Sequence, residues 1–589
     1  MPFDIVIGRP RSETEKLGTI GSVFIGRQYV HMGHYTSLSN NVYLDVARSH
    51  VVFVVGKRGC VTEDTVVFTD KGYKRIVDVD DTDKVSSYNI IKKKFRWENV
   101  QLISYNVKNE ALYELFLENG QKITATAEHP LLTSKSTWKT CSQLRTEDSL
   151  LCINPKANEL PASNAIAESK IAKITKKQGI KKVYDLTVPK NHSFIANGII
   201  SHNSGKSYSM GVIAEGMTTL PIEVRQNLSV IMLDTMGVYW PMKYPNHVDT
   251  RLLEEWQLEG KGLDIKLFTP KGFYAQYKQK GIPSDVSFAI KPSDLNPEDW
   301  CLTFQLSTDS PEGILLSHMT DQLRKEGDYD LDEMITAAED DKRSDEHTRN
   351  VVVNHLMQVK TWGIFSKDGT PLKELAVAGQ VSVLDMSPYA TVPNGWLIKA
   401  LVIGLIAKKL FTQRMVARKN EEYQQIDAAM HYFSKDGKET LEEPLVWLIV
   451  DEAHEMLPRD GKTAATDALV TIMREGRQPG ISLVLASQQP GKIHSDVMTQ
   501  SDIVIAHRLT AQIDVHALEQ LTQTYMHEGL NEQLAELPRT TGSAVVFDDD
   551  NERVFAIKVR PRITWHGGSS PTAITENKNR LTTSPLKNS

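Results

Sequence analysis

A chain of 589 residues, 40% hydrophobic, 24% charged and with a formal net charge of −6, is long enough for two or more domains and has the make-up of ordinary globular protein. No apolar run is long enough to span a bilayer, and the opening MPFDIVIGRPRSETEK lacks the basic start and apolar core of a signal peptide. A cytoplasmic location is therefore expected. The four cysteines, Cys60, Cys141, Cys152 and Cys301, form no CxxC pair, which argues against a zinc site, a redox motif and a disulfide framework.

Residues 1–50 are Gly-punctuated and strand-like, which predicts a small N-terminal β element. Residues 51–55, VVFVV, read as a buried strand, and GKRG follows at 56–59. A phosphate loop of the form GxxxxGK[ST] should now be completed and open a helix. The chain continues instead with CVTEDTVVFTDKGYKRI. The missing half, SGKS, stands at 204–207, followed by the helix-like YSMGVIAEGM. Joining Gly59 to Ser204 restores VVFVVGKRGSGKSYSMGVIAEGM, with strand, loop and helix in the expected order. A lone GKRG or a lone SGKS would be an ordinary Gly-rich turn. Here the halves are complementary, the first inserted residue is Cys60, and the last two are His202 and Asn203.

The insert, 60–203, holds 21 Lys+Arg and 17 Asp+Glu, a net of +4, whereas the rest of the chain holds 47 and 57, a net of −10. Its Val, Ile, Thr and Tyr runs alternate with Gly, Asn and Asp turns, the composition of an all-β domain. It carries TAEH at 126–129 and closes with VYDLTVPKNHSFIANGIISHN, after which Ser204 follows. With these motifs the segment resembles an intein of the Hint fold, across its whole length. Larger inteins carry a homing endonuclease between their halves; the polar stretch at 154–170 is too short for one, so a mini-intein is expected.

The resemblance implies protein splicing, which needs a nucleophile at each junction. Cys60 would attack the Gly59 carbonyl and convert the amide to a thioester, with Thr126 and His129 on the scissile amide and His129 protonating the leaving nitrogen. Ser204 would take the acyl group as a branched ester. The Asn203 side chain would cyclise and cut the chain, with His202 and His192 as proton donors, and Asp185 would couple the two cleavages. An acyl shift would leave a Gly59–Ser204 peptide, with no cofactor. Read singly, Thr126 is a strand residue, Asp185 a turn cap and His192 a core histidine; the set at both junctions is what favours chemistry. Cys141 and Cys152 read as core residues.

The host has strand candidates at 51–55, 229–234, 381–386, 446–452, 482–489, 502–508 and 542–547, alternating with amphipathic helical stretches, which predicts a parallel α/β sheet. The acidic segment 321–350 reads as a solvated helical insertion, 411–445 as a helix plus exposed loop, and 566–589 as a flexible tail. The core is expected to span 51–59 together with 204–565. Once spliced, Gly56, Lys57, Arg58, Gly59, Ser204, Gly205, Lys206 and Ser207 form the loop that cradles the phosphates of ATP at a helix N-terminus. Lys206 would reach the outer phosphates, and Ser207 would ligate Mg2+. In LVWLIVDEAH (445–454) Asp451 would hold the Mg2+ shell and Glu452 would orient the attacking water. Gln488 ends a later strand, where it would sense the outer phosphate. Arg474 and Arg477 precede that strand; either is an ordinary surface arginine or a finger for a neighbouring subunit.

No LSGGQ-like or NKxD-like signature is present. Adjacent Asp-Glu with a later Gln points to the additional-strand, RecA-like branch. GKRG plus SGKS, IMLDTMGVYW, LIVDEAH, REGRQPGISLVLASQQP and the tail VRPRITWHGG together resemble HerA-like and FtsK-like motor ATPases, HerA more closely. That resemblance implies a homo-hexameric ring that translocates on double-stranded DNA, a nuclease partner in end resection, and Arg477 as a better finger than Arg474. The family's N-terminal β-barrel is usually longer than the segment before Gly56. The acidic host also fits a second function, an ATP-dependent switch or scaffold that does not act on DNA.

Overall fold

The structure is a computed structural model. It describes residues 4–566 except 33–34, 57–60, 80–82, 90–93, 100, 108–110, 127–128, 135–137, 142–143, 154–165, 179–180, 188–192, 198, 203–205, 248, 393, 431–440, 442, 508–516, 519–536 and 539–541. The chain divides into two compact units, one of Met1–Gly56 with Gly205–Gly567, the other built on Lys57–Ser204.

The first unit is organised by one long sheet. Its parallel part runs, in spatial order, Ile503–His507, Val51–Val55, Ile481–Ser487, Leu445–Val450, Leu228–Asp234, Val381–Asp385, Ile265–Pro270 and Val286–Phe288. These strands are apolar almost throughout because both faces are covered, as parallel sheets require. VVFVV shows the consequence: Val51, Phe53 and Val55 enter one core, Val52 and Val54 the other. Helix Lys206–Thr218 packs on the second face through Met210, Val212, Ile213, Ala214 and Met217. Helices Gly395–Met430 and Thr466–Glu475 pack on the first. The long helix crosses closely at Gly404, where a Cβ would lie 2.2 Å from the Ala464 carbonyl oxygen.

Several local expectations change in context. Ser543–Asp548 pairs antiparallel with Ile503–His507, so the sheet is mixed and not purely parallel. Arg553–Val559 continues that antiparallel run and then pairs with Ser22–Met32, which pairs with Tyr35–Asp45. The N-terminal strands therefore join the edge of the core sheet, because the chain's last strand offers them an open ladder. The acidic stretch within 321–350 is not merely solvated: Tyr329, Leu331, Met334, Ile335 and Ala338 are buried in the first core while most of the acids face outward. The charged stretch after 411 is the second half of one 36-residue helix, Gly395–Met430.

Among its described residues the second unit is built of β-strands, with a 3-10 turn at Ile76–Asp78. Strand Ile166–Gln178 is long enough, at 13 residues, to pair with Ala111–Leu117 along one part and Ser149–Ile153 along another. This joins two sets of antiparallel strands around a core that includes Val61, Val67, Leu115, Ile123, Leu131, Leu150, Cys152 and Ile199. Cys141 and Cys152 are buried, and burial pushes the Cys152 thiol up to about 12, so neither is placed for nucleophilic work.

Candidate active sites

In the first unit the polar residues gather where the parallel strands end. Val51–Val55 runs into Gly56, whose N–H donates to the Ser487 carbonyl at 3.4 Å. Helix Lys206–Thr218 starts at the lysine of the restored motif. Lys57, Arg58, Gly59, Ser204 and Gly205 lie outside the described residues, as does the Lys206 side chain. Ser207 donates from Oγ to the buried carboxylate of Asp451 at 3.2 Å. A hydroxyl beside a carboxylate is a donor set that suits a hard divalent cation.

Glu452 has φ 51°, a left-handed conformation rare away from glycine, and such strain clusters at functional sites. It aims the Glu452 side chain at the next strand end, where Gln488 Nε2 donates to Glu452 Oε1. His454 Nδ1 lies 3.5 Å from Glu452 Oε2 and 3.3 Å from Ser487 Oγ. Four predicted residues, Ser207, Asp451, Glu452 and Gln488, thus meet at one sheet edge although their sequence positions are far apart.

Two further carboxylates belong to that edge and were not singled out from the sequence. Asp234 and Asp385 are register partners at the ends of adjoining strands. Asp234 accepts backbone N–H bonds from Val238 at 3.0 Å and Tyr239 at 2.9 Å, closing the loop of the IMLDTMGVYW motif over the strand end. Burial first, then the neighbouring Asp385, raises Asp234 above the usual carboxylate range. Burial, then Asp451 and Asp234, pushes the Tyr239 phenol well up, so it stays neutral. The available signal was an apolar run ending in Asp, the same one that marked Asp451.

The arginines sit elsewhere. Arg474 pairs with Asp496 at 2.5 Å, and Arg477 with Asp502 at 3.3 Å. Asp502 stands at the start of Ile503–His507, and its other oxygen accepts the Val51 N–H at 2.8 Å. Arg477 is therefore held at the opposite strand ends from Gly56, with its side chain 59% exposed. Five strand residues at about 3.3 Å each separate the two ends by roughly 16 Å.

The C-terminal motif VRPRITW braces the helix that follows the phosphate loop. Glu215, fully buried on that helix, accepts from Arg560 Nη1 at 2.9 Å and Arg562 Nε at 3.0 Å. The backbone N–H groups of Ile563 and Thr564 and the Thr564 hydroxyl complete its shell. Burial pushes the carboxyl up, but Arg562, Arg560 and Thr564 outweigh it and hold Glu215 below its ordinary value. Gly211 is required here, since a Cβ would lie 2.7 Å from the Arg562 guanidinium.

In the second unit, register does the gathering. Val61, the neighbour of Cys60, pairs with Ala125 on one side and Tyr184 on the other. Val61 is thereby set between the strand that carries Thr126 and the strand that carries Asp185. Ser193–Ala196 and Ile199–His202 form a hairpin, and Ser201 of that hairpin pairs with Leu131, two residues beyond the buried His129. Cys60, His192, Asn203 and Ser204 lie outside the described residues, as do the side chains of Thr126, Asp185 and His202.

Residues 66–203 match the family model "intein splicing domain", and residues 204–401 match "Helicase HerA, central domain". The chain carries an intein followed by a HerA central domain. The chain is similar to the probable DNA double-strand break repair helicase HerA of Methanocaldococcus jannaschii, at 30% identity over 24% of this chain and 29% of that protein. It is also similar to DNA double-strand break repair helicase HerA of Pyrococcus furiosus, at 29% identity over 26% of this chain and 28% of that protein. The chain thus matches less than a third of the length of these relatives. Among solved structures, the DnaB intein of Synechocystis sp. PCC 6803 is 26% identical and covers 25% of this chain and 99% of that one, with a TM-score of 0.22. Among the described residues, no helix is long and apolar enough to cross a membrane.

Proposed function

We propose that the chain is a precursor that excises residues 60–203 to yield an ATP-hydrolysing, homo-hexameric HerA-type motor acting on double-stranded DNA. The observation that carries the ATPase reading is the strand order: Ile481–Ser487 lies between the phosphate-loop strand and the strand ending in Asp451-Glu452. This is the additional-strand order of RecA-like cores, and it brings Gln488 onto Glu452.

In splicing, the Cys60 sulfur adds to the Gly59 carbonyl, the amide nitrogen leaves with a proton from His129, and a thioester forms. Thr126 holds the scissile amide. The Ser204 oxygen then displaces the thiol to give an ester. The Asn203 side-chain nitrogen attacks its own carbonyl, closing a succinimide and freeing the Ser204 amine. His202 and His192 supply protons to that step, and Asp185 links it to the first. The freed amine takes the acyl group from the ester oxygen and leaves a Gly59–Ser204 peptide.

In the rebuilt loop, residues 56–59 and 204–205 present backbone N–H groups to the phosphates of ATP, and Lys206 reaches the outer ones. Ser207 and Asp451 would hold Mg2+, which supplies charge neutralisation when bound. Glu452 orients and deprotonates the attacking water, and Gln488 fixes the Glu452 rotamer and reads the outer phosphate. Arg477 faces away from its own loop, which favours use as a finger in the next subunit. A nuclease partner and a cytoplasmic site of action follow from the HerA resemblance.

The acidic host, net −10, favours one rival: an ATP-dependent switch or scaffold that does not act on DNA. ATP turnover by the spliced ring separates them. Stimulation by duplex DNA that falls steeply with salt supports the motor; an assembled ring indifferent to DNA supports the switch. Splicing is tested by intact mass spectrometry. Wild type should yield the excised insert and the ligated host, and a Cys60→Ala/Asn203→Ala variant only the full chain. Ligated host from that variant would sink the splicing mechanism.

A further inference from the structure

The intein's C-terminal hairpin turns at Asn197, and the turn residue does more than turn. Asn197 has φ 50°, the left-handed conformation that an Asn-Gly hairpin uses, and for that purpose glycine or aspartate would serve as well. Its backbone N–H and both side-chain polar groups are directed outward from the hairpin onto two other segments. The backbone N–H donates to the Val66 carbonyl at 2.7 Å. Side-chain Oδ1 accepts the Val66 N–H at 2.5 Å, and Nδ2 donates to the Lys122 carbonyl at 2.7 Å. One carboxamide therefore receives from one strand and gives to another, which only a neutral amide of this length can do.

Of the three segments so joined, two carry or lead into splicing groups and the third follows the strand beside Cys60. Val66–Thr69 follows closely on Val61–Thr62, the strand that begins beside Cys60. Lys122–Thr126 carries Thr126 and pairs with Val61 through Ala125. The hairpin's second arm, Ile199–His202, leads into Asn203 and Ser204. Among the described residues, backbone pairing ties the hairpin to the first segment at Ala196 opposite Val67 and through the Asn197 N–H, and to other strands at Ser201 opposite Leu131 and Ile199 opposite Cys152. The ties to Lys122 and to the Val66 N–H come from the Asn197 side chain alone.

We propose that Asn197 is a positioning residue for splicing: its carboxamide staples the C-terminal junction hairpin to the strand that carries Thr126 and to Val66–Thr69, the strand that follows the one beside Cys60. This rests on the splicing reading above. Transfer of the acyl group from Cys60 to Ser204 depends on holding both junctions together, and small displacements at such a step are costly in rate. Thioester formation at Cys60 depends on the Val61 pairings instead, which the staple does not make. Loss of the staple therefore uncouples the junctions and leaves each able to cleave alone.

Asn197→Gly keeps the turn and removes the carboxamide; Asn197→Asp keeps the acceptor and removes the donor. In the full chain, the ratio of ligated host to singly cleaved products, by intact mass, should fall about tenfold or more in both variants. In an Asn203→Ala background, dithiothreitol should still release the N-terminal segment from each variant at a wild-type rate, which shows that the domain is folded and the thioester forms. A wild-type product ratio in both variants overturns the proposal. Parallel loss of thiol-induced cleavage and ligation also overturns it, because the residue would then serve the fold and not the coupling. If the unmutated chain itself does not splice, the splicing reading falls first and takes this inference with it.

Discussion

Replacing Glu215 by alanine should unfold the host domain more readily than any surface change on the same helix. Glu215, Arg560 and Arg562 are all essentially excluded from solvent, and both guanidinium groups spend their charge on this one carboxylate. Removing it leaves two buried cations without a counter-charge and takes the acceptor from the N–H groups of Ile563 and Thr564. Breaking a buried ion pair by deleting one partner costs about 3–5 kcal/mol. Glu223→Ala, on the exposed short helix that follows, should change stability by no more than about 0.5 kcal/mol. Urea unfolding of the spliced host, followed by tryptophan fluorescence at matched slopes, measures the difference. The pH dependence has a fixed sign. Glu215 is held below its unfolded value, so its contribution is complete above the unfolded pKa and is lost as pH falls through the folded one. Glu215→Gln should therefore flatten the acid limb of the stability curve. An alanine variant within about 1 kcal/mol of wild type, with an unchanged acid limb, would refute the reasoning that this network braces the helix.

Three further outcomes are expected. Glu452→Gln in the spliced host should lower ATP turnover by about 100-fold or more while leaving nucleotide binding intact, as steady-state kinetics beside equilibrium titration would record; unaltered turnover would remove Glu452 from the chemistry. Arg477→Ala rings should be inactive alone, yet mixed with Glu452→Gln subunits they should regain part of the activity, because an intact Arg477 can then face an intact Glu452 across a subunit boundary; failure of every mixing ratio to restore turnover argues against use in trans. The splicing-blocked Cys60→Ala/Asn203→Ala precursor should neither bind nor hydrolyse ATP, since Gly59 and Ser204 are then separated by the insert; host-like turnover by that precursor would contradict the rebuilt loop.

How much of this was legible in advance differs by site. The phosphate loop, the Asp451-Glu452 strand end and the splice-junction residues are local strings, and each was read from residue types at fixed spacing. The strands at 265–270, 286–288 and 553–559 were missed. The first is Ile265–Pro270, half apolar and closed by a proline; the second is three residues long; the third, RVFAIKV, is mostly apolar but only partly buried at the sheet's antiparallel end. Asp234 and Asp385 carried the same signal as Asp451, and Asp234 lies within the IMLDTMGVYW motif, but neither is followed by a second carboxylate as Asp451 is by Glu452.

From the sequence by itself come the expectations of which residues do chemistry and of where the insert begins and ends, together with most of the buried strands of the host core. Those properties depend on side-chain identity and short-range periodicity. Only the tertiary structure decided strand order, and with it every relation between distant segments. It placed Gln488 against Glu452, turned Ser543–Asp548 antiparallel, and seated the N-terminal strands on Arg553–Val559. It held Arg477 at the far end of the sheet and ran one asparagine between three intein strands. Ladder pairing is made by backbone groups that every residue has, so the choice of partner strand is settled by packing across the whole domain and leaves little trace in any one stretch of sequence.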